Sequence, residues 1–112
     1  MAKKVNGTLL VLTKAFNIVQ NHWTSGALAR NAKGKQVAVS NAGAVSFCAV
    51  GALRKAELVT GKTGEAANAR RILASCITSG WSHSKSIMAY NDDRGKAAVV
   101  KLFKKAIAKA TA

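Results

Sequence analysis

The side chains with the greatest chemical reactivity in this sequence centre on Cys48. A catalytic thiolate needs an imidazole nearby, which His22 or His83 could supply, and a polar group such as Asn91 or Asp92 to orient that imidazole. However, Cys48 falls in the middle of an apolar helical pattern, whereas reactive cysteines prefer helix starts. We therefore favour a buried, reduced thiol, and a cysteine-dependent hydrolase is the less favoured alternative.

The same residue types do not have the spacing of a metal centre. Two cysteines and two histidines lack the close pairs that zinc sites use, so we expect no metal and no cofactor. The adjacent acids Asp92 and Asp93, in "YNDDRG", could form a cation site. We favour capping of the helix that follows, because carboxylates accept bonds from the N–H groups at a helix start.

Positive charge is the dominant chemical feature of the chain. Eighteen Lys and Arg residues stand against four acids, which gives a formal net charge of +14. Self-repulsion of this size lowers stability, so a compact domain that keeps it is expected to have an anionic partner. Nucleic acid is the commonest such partner, followed by an anionic membrane or an acidic protein surface. Improved solubility alone is the remaining explanation.

The basic residues that we predict to contact nucleic acid are spread along the chain. Lysine outnumbers arginine, which suits contacts to phosphates better than readout of bases. The sequence has no helix-turn-helix, zinc-finger or RNA-binding aromatic signature. A solvated lysine face is the alternative for the last helix taken alone, and Lys3 and Lys4 could add to the set. The predicted contact residues are Lys33, Lys35, Arg54, Lys55, Arg70, Arg71, Lys101, Lys104, Lys105 and Lys109.

No segment of the sequence has the length and apolar character of a membrane span. The apolar run from Leu9 to Leu12 is too short for a signal peptide, and Lys14 interrupts it. The last helix has an apolar and a lysine face, as interfacial membrane helices do, but alanines such as Ala106 dilute its apolar face. We therefore expect a soluble, cytoplasmic protein.

The elements that must position these residues are mainly helical. Abundant alanine favours close-packed helices, and the absence of proline leaves long helices possible. Turn-forming "NAKG" between two short extended runs predicts a β-hairpin. The expected fold is mainly α with one small β-hairpin (α+β), a compact helical single domain over residues 1–112. The predicted elements are a helix over 8–20, hairpin strands over 27–30 and 35–39, helices over 40–61 and 63–80, the second capped by Thr63, a short helical turn within 82–90, a polar junction over 91–95, and a helix over 95–110.

Two residues predict particular packing. Gly51, inside the second helix, costs about 1 kcal/mol against alanine, and the expected compensation is close approach of a neighbouring backbone. The second helix should therefore be the buried centre of the fold. Trp23 either closes the core between the first helix and the hairpin or offers a platform on which a base could stack, and its exposure should separate the two uses.

Three short motifs give the sequence a resemblance. "HWTSGALARNAKGKQV", "FCAVGALRKA" and "AYNDDRG" resemble a family of small actinobacterial and bacteriophage proteins with no assigned function. The resemblance spans roughly residues 6–110 and implies no catalytic roles, but its phage members imply a viral accessory protein. This chain is more basic than the family pattern implies. The matching residues are Trp23, Thr24, Gly26, Ala27, Cys48, Ala49, Gly51, Ala52, Asn91 and Asp92.

Taken together, the sequence predicts a small basic accessory protein, phage-encoded and not an enzyme, that binds DNA or RNA through phosphate contacts. The alternative is a phage inhibitor or anti-defence protein that docks on an acidic surface of a host protein. Both use the same positive charge. The cysteine-dependent hydrolase is the second alternative.

Overall fold

A computed structural model describes residues 7–77 and 83–111, with side chains from residue 87 onward in the second segment. The described part confirms the predicted mainly helical fold with a single two-stranded antiparallel sheet. Helix α1 packs against all three other helices. The elements are α1 (Gly7–His22), β1 (Ala29–Asn31), β2 (Ala44–Phe47), α2 (Ala49–Thr60), α3 (Glu65–Ser75) and α4 (His83–Thr111).

Helix α1 follows the predicted pattern. Its apolar residues recur at helical spacing, and Val11, Leu12 and Val19 are fully buried against the rest of the core. The helix begins at Gly7, one residue before the predicted start. The hydroxyl of Thr8 donates to Glu65 Oε2 over 2.6 Å, so Thr8 links the start of α1 to the start of α3.

The β-hairpin is present, but its second strand is not the predicted one. Residues 29–31 pair antiparallel with residues 44–47, and Ala29 lies opposite Phe47. The segment 35–39 pairs with β1 only over a short stretch, through the antiparallel bridge between Arg30 and Gln36 and the flanking bonds from Asn31 N–H to Lys35 O and from Val37 N–H to Ala29 O, and it does not extend into a strand. The "NAKG" turn does form, because Asn31 Oδ1 accepts from the backbone N–H groups that follow it and Gly34 adopts a positive φ of 82°.

Helix α2 begins at Ala49, nine residues after the predicted start at Ser40. The apolar run 44–47 suited a helix by composition, but pairing with β1 places it in a strand. Cys48 is the N-cap residue of α2, and its Sγ accepts from the N–H of Gly51 over 3.4 Å. The predicted end at Gly61 is confirmed, since Gly61 has a φ of 71° and its N–H binds Glu57 O.

The predicted close approach at Gly51 is confirmed. A Cβ at this position would lie 1.9 Å from the carbonyl oxygen of Leu28. The same oxygen accepts from the N–H of Cys48 over 3.2 Å, so the chain leading into β1 lies directly on the first turn of α2. Residues Ala49, Val50, Gly51, Ala52, Leu53 and Ala56 are buried, as expected for the central helix.

The start of helix α3 is capped by a carboxylate from α2. The predicted cap was Thr63, but the N-cap residue is Gly64, which makes no side-chain capping bond. Instead, Glu57 Oε2 on α2 accepts from the N–H of Ala66 over 3.1 Å. The helix ends at Ser75, whereas the predicted end, Gly80, lies outside the described residues.

Helix α4 is divided at Gly95, where φ is 83° and ψ is 178°. The segment after this break matches the predicted last helix, with Val99 and Phe103 fully buried. Residues 91–94, which the sequence analysis assigned to a polar junction, lie in the helix before the break. Glycine tolerates the left-handed conformation that joins the two helical parts.

Candidate functional site

A buried amide lies at the junction of α1, α2 and α4. Asn91 has no exposed surface, and its Oδ1 accepts from Trp23 Nε1 over 2.8 Å and from the N–H of Ala49 over 3.0 Å. Its Nδ2 donates to the carbonyl of Thr24 over 3.1 Å and to Asp92 Oδ1 over 3.0 Å. One side chain therefore holds the end of α1, the start of α2 and the first half of α4 together.

Asp92 extends this network to the loop before β1. Its Oδ1 accepts from the N–H of Gly26 over 3.0 Å, although Asp92 itself is exposed. The expectation that Asp92 caps the final helix is therefore wrong, because its recorded hydrogen bonds go to Gly26 and Asn91. We call Trp23, Thr24, Gly26, Ala49, Asn91 and Asp92 the Asn91 cluster.

The Asn91 cluster unites the three motifs that gave the sequence its resemblance. The segments around Trp23, Cys48 and Asn91 lie far apart in the chain, and hydrogen bonds join the first and second of them to the third. Among the described residues, no buried side-chain nitrogen or oxygen lacks a hydrogen-bond partner. The cluster is therefore a fully bonded structural junction.

Cys48 is buried, as predicted, but its position relative to α2 differs from the prediction. It lies at the start of α2 and not in the middle of the helix. At a helix start, the helix dipole alone would favour a thiolate. Yet only 3% of its surface is exposed, and this burial raises the pKa of the thiol above its ordinary value. The N–H of Gly51 opposes that increase in pKa, whereas the charge of Asp92 adds to it. The neutral thiol is the favoured form.

The other partners considered for a thiol site give it no support. His22 ends α1 and lines a groove with Lys14, Val45 and Lys55. The side chain of His83 lies outside the described residues.

Trp23 is half-buried against the core and uses its Nε1 to bind Asn91, which favours its core role over a stacking platform.

The last helix presents four exposed lysines at helical spacing. Lys101, Lys104, Lys105 and Lys109 are all exposed, whereas Phe103 between them is buried. Lys109 Nζ donates to Ser75 Oγ over 2.7 Å, which brings this face next to the end of α3.

In each of the basic pairs Arg54/Lys55 on α2 and Arg70/Arg71 on α3, the two side chains point to different surfaces. Arg54 and Arg70 line one groove, which we call the α2–α3 groove. Lys55 lines a second groove, the α1–α2 groove, and Arg71 Nη1 instead donates to Asn68 Oδ1 over 3.2 Å. Adjacent residues on a helix point about 100° apart, so the sequence pairs could have signalled this division.

The α2–α3 groove has a volume of about 610 Å³. Leu28, Val39 and Leu58 supply its apolar wall, and 57% of the Leu58 surface is exposed. Glu57 also lines it, with Oε2 bonded to the N–H of Ala66. The sequence predicts Arg54 and Arg70 only as parts of a general basic surface, and no local pattern indicates that they share a groove.

The α1–α2 groove is smaller, at about 340 Å³. Its apolar wall includes Val45 and Val59, which are 45% and 51% exposed. Lys14 and Lys55 lie beside these valines, and none of the described residues that line this groove is a carboxylate. Its chemistry suits an apolar surface that carries negative charge.

The remaining predicted contact residues, Lys33 and Lys35, lie in the turn of the hairpin. Both are exposed, and their backbone N–H groups donate to Asn31 Oδ1 over 3.0 and 2.9 Å. Nothing in the described contacts joins them to the basic residues of α4. Lys3 and Lys4 lie outside the described residues.

The acidic residues do little to neutralise this charge. Glu57 binds a backbone N–H, Glu65 binds the hydroxyl of Thr8, and Asp92 binds a backbone N–H and an amide. None of these hydrogen bonds involves lysine or arginine. These three carboxylates therefore bond to neutral groups of the described residues.

The described residues contain no helix that is long and apolar enough to cross a membrane. They also contain no group of three or more His, Cys, Asp or Glu side chains able to hold a metal ion.

Fold and surface together define a class: a small, mainly helical domain with one two-stranded sheet and a strongly basic composition. The family model of DUF6197, a family of unknown function, matches residues 7–109, and the chain belongs to this family. This agrees with the expected membership of a family without an assigned function. No curated protein and no solved structure matches the chain.

Proposed function

We propose that this protein binds nucleic acid through phosphate contacts and does so without catalysis. The observation that supports this most is the exposed lysine face of α4, Lys101, Lys104, Lys105 and Lys109, in a chain of net charge +14. Such a face contacts phosphates without reading bases, because lysine is a compact, flexible cation.

Counterion release gives this proposal a quantitative test. If the four lysines neutralise about four phosphates, affinity for duplex DNA should fall on the order of 100-fold between 50 and 200 mM salt. Fluorescence anisotropy of labelled duplex DNA, single-stranded DNA and RNA would measure this slope. Salt-independent binding, or no binding to any of the three at 50 mM salt, would contradict the proposal.

A charge-matched pair of variants distinguishes binding by a defined surface from binding that depends only on total charge. Lys101→Ala/Lys105→Ala removes two lysines from the proposed surface, whereas Lys14→Ala/Lys62→Ala removes two exposed lysines elsewhere. Each neutralised phosphate contact accounts for about 0.9 of the salt slope, so only the first variant should lower the slope, by about two. Equal losses in both variants would show that the charge acts without a defined surface.

For the setting, we propose a phage-encoded accessory protein that acts in the bacterial cytoplasm. The support is the resemblance of the motifs around Trp23, Cys48 and Asn91 to proteins that include phage members. Expression of the chain during infection, followed by cell fractionation, would test both parts.

A second candidate function is docking on an acidic host protein, and the α1–α2 groove favours it. Exposed Val45 and Val59 flank Lys14 and Lys55 there, as expected for a surface that receives apolar and acidic side chains together. A partner retained after nuclease treatment, and lost with Val45→Asp/Val59→Asp, would favour this function. Loss of every retained partner on nuclease treatment would favour nucleic acid.

A further inference from the structure

Two arginines from different helices line the α2–α3 groove. Arg54 is contributed by the middle of α2 and Arg70 by the middle of α3, and both line the same 610 Å³ space. The guanidinium group is planar and presents several N–H donors, so it binds phosphate oxygens in a bidentate manner that lysine cannot reproduce. Arginine is a minority among the cations of this chain, and two of its few copies converge here.

The groove also has an apolar side. Leu28, Val39 and Leu58 line it, and the exposure of Leu58 leaves a large aliphatic surface open at its edge. A volume of about 610 Å³ lies within the usual range for small-molecule sites, which combine apolar walls with a few charged groups. An anion that has both a phosphate and a flat apolar body matches these two chemistries.

We propose that the α2–α3 groove binds a nucleoside phosphate, with the phosphate between Arg54 and Arg70 and the nucleoside against Leu28 and Leu58. This inference rests on the proposed function, since a nucleoside phosphate is the repeating unit of nucleic acid, and it adds a defined site to a surface of dispersed lysines. The unit binds either as a free nucleotide or within a single strand.

Glu57 reduces the positive charge of the α2–α3 groove without reversing it. It is the one carboxylate among the residues that line the groove, against two arginines, and its Oε2 accepts from the N–H of Ala66. The groove therefore keeps a net positive charge. Because Gln keeps an oxygen acceptor for Ala66 while removing the negative charge, Glu57→Gln should tighten anion binding several-fold without loss of the cap.

The neighbouring cations provide matched controls. Arg54→Ala and Lys55→Ala each remove one charge from adjacent positions, as do Arg70→Ala and Arg71→Ala, but only the first of each pair lines this groove. Total charge is the same within a pair. A difference in affinity within a pair therefore reports the groove and not the general positive field.

An amide NMR titration of the full chain tests the site directly, with AMP, adenosine and inorganic phosphate as separate probes. AMP should shift the amides of Leu58, Gly64 and Ala67, and should bind at least tenfold more tightly than either fragment alone. Arg54→Ala and Arg70→Ala should each weaken AMP about tenfold or more, and Lys55→Ala and Arg71→Ala less than threefold.

Three results would overturn the site: no AMP-induced shifts in the groove, equal losses within each matched pair, or binding of adenosine or phosphate as tight as that of AMP. Competition by single-stranded oligoadenylate identifies a unit within a strand, and failure to compete identifies a free nucleotide. If AMP binds the groove while no DNA or RNA binds, the proposed function fails and the site stands. If nucleic acid binds normally to both arginine variants and AMP does not bind, the site fails alone.

Discussion

The Asn91 cluster and the basic surface differ in what their polar groups bind. In the cluster, amide, indole and carboxylate groups from distant segments bind one another and the backbone. On the basic surface, lysines of α4 and arginines of the α2–α3 groove face outward. Motif residues with reactive side chains can therefore serve the fold, while the charges of the basic surface stay on the outside, where the proposed function places them.

The largest loss of stability should come from disrupting the backbone contact between Gly51 and Leu28. Gly51→Ala places a Cβ 1.9 Å from Leu28 O, and because the neighbour is backbone, the hairpin and α2 must separate. We expect a loss of about 4 kcal/mol or more in the free energy of unfolding, or failure to fold. Urea denaturation followed by circular dichroism would measure it.

Gly34→Ala is the matched control for that substitution. Unlike Gly51, which is helical, Gly34 has a positive φ of 82°, and a Cβ there would meet nothing within 4 Å. The left-handed conformation alone costs about 1–2 kcal/mol for alanine. If both variants lost the same stability, the close approach of α2 and Leu28 would not be the reason for glycine at position 51.

The next largest loss of stability should come from removing the side-chain amide of Asn91. Asn91→Ala removes the partner of Trp23 Nε1, the Ala49 N–H and the Thr24 carbonyl, leaving buried polar groups without a hydrogen bond. We expect a loss of about 3 kcal/mol in the free energy of unfolding. Asn21→Ala, at an exposed position on α1, should change it by about 0.5 kcal/mol or less.

A smaller effect should appear as a dependence on pH. The fold raises the pKa of Cys48, so the unfolded chain loses the thiol proton first as pH rises. The stabilisation by the neutral thiol is complete below the unfolded pKa and declines above about pH 9, by at most about 1.4 kcal/mol per pH unit.

Cys48→Ser should remove this decline while keeping the cap, since a serine oxygen can accept from the Gly51 N–H. Denaturation at pH 8 and pH 10 would compare the variant with the wild type and with Cys76→Ser. A decline of the same size in the Cys48→Ser protein would contradict the assignment to this thiol. In the native wild type at pH 8, alkylation should reach the partly exposed Cys76 before Cys48.

Local patterns predicted much of the fold. Helical periodicity located α1, the end of α2 at Gly61 and the amphipathic part of α4, because each carries its own apolar stripe or stop signal. The start of α2 was misplaced since "AVSF" is apolar and also suits a strand, and only its pairing with β1 decides between them. Only one short turn was predicted of the helix before Gly95, because its polar residues 91–94 are typical of a junction and two of them bind distant partners.

The candidate sites were less predictable, because they depend on contacts between segments. Composition indicated an anionic partner, but nothing local could show that Arg54 and Arg70 share a groove while Lys55 and Arg71 do not. The role of Asp92 was equally hidden, since Gly26, its backbone partner, precedes it by 66 residues. Long-range pairing of this kind requires the fold.

One measurement tests the division between the Asn91 cluster and the basic surface most directly. Unfolding free energy and affinity for a labelled duplex at 50 mM salt are measured together for Asn91→Ala and for Lys101→Ala/Lys105→Ala, below the unfolding transition. We predict a crossed result, in which the first variant loses stability but keeps its affinity, and the second keeps its stability but loses affinity. A folded Asn91→Ala protein with lost affinity, or a double lysine variant that binds as the wild type does, would contradict it.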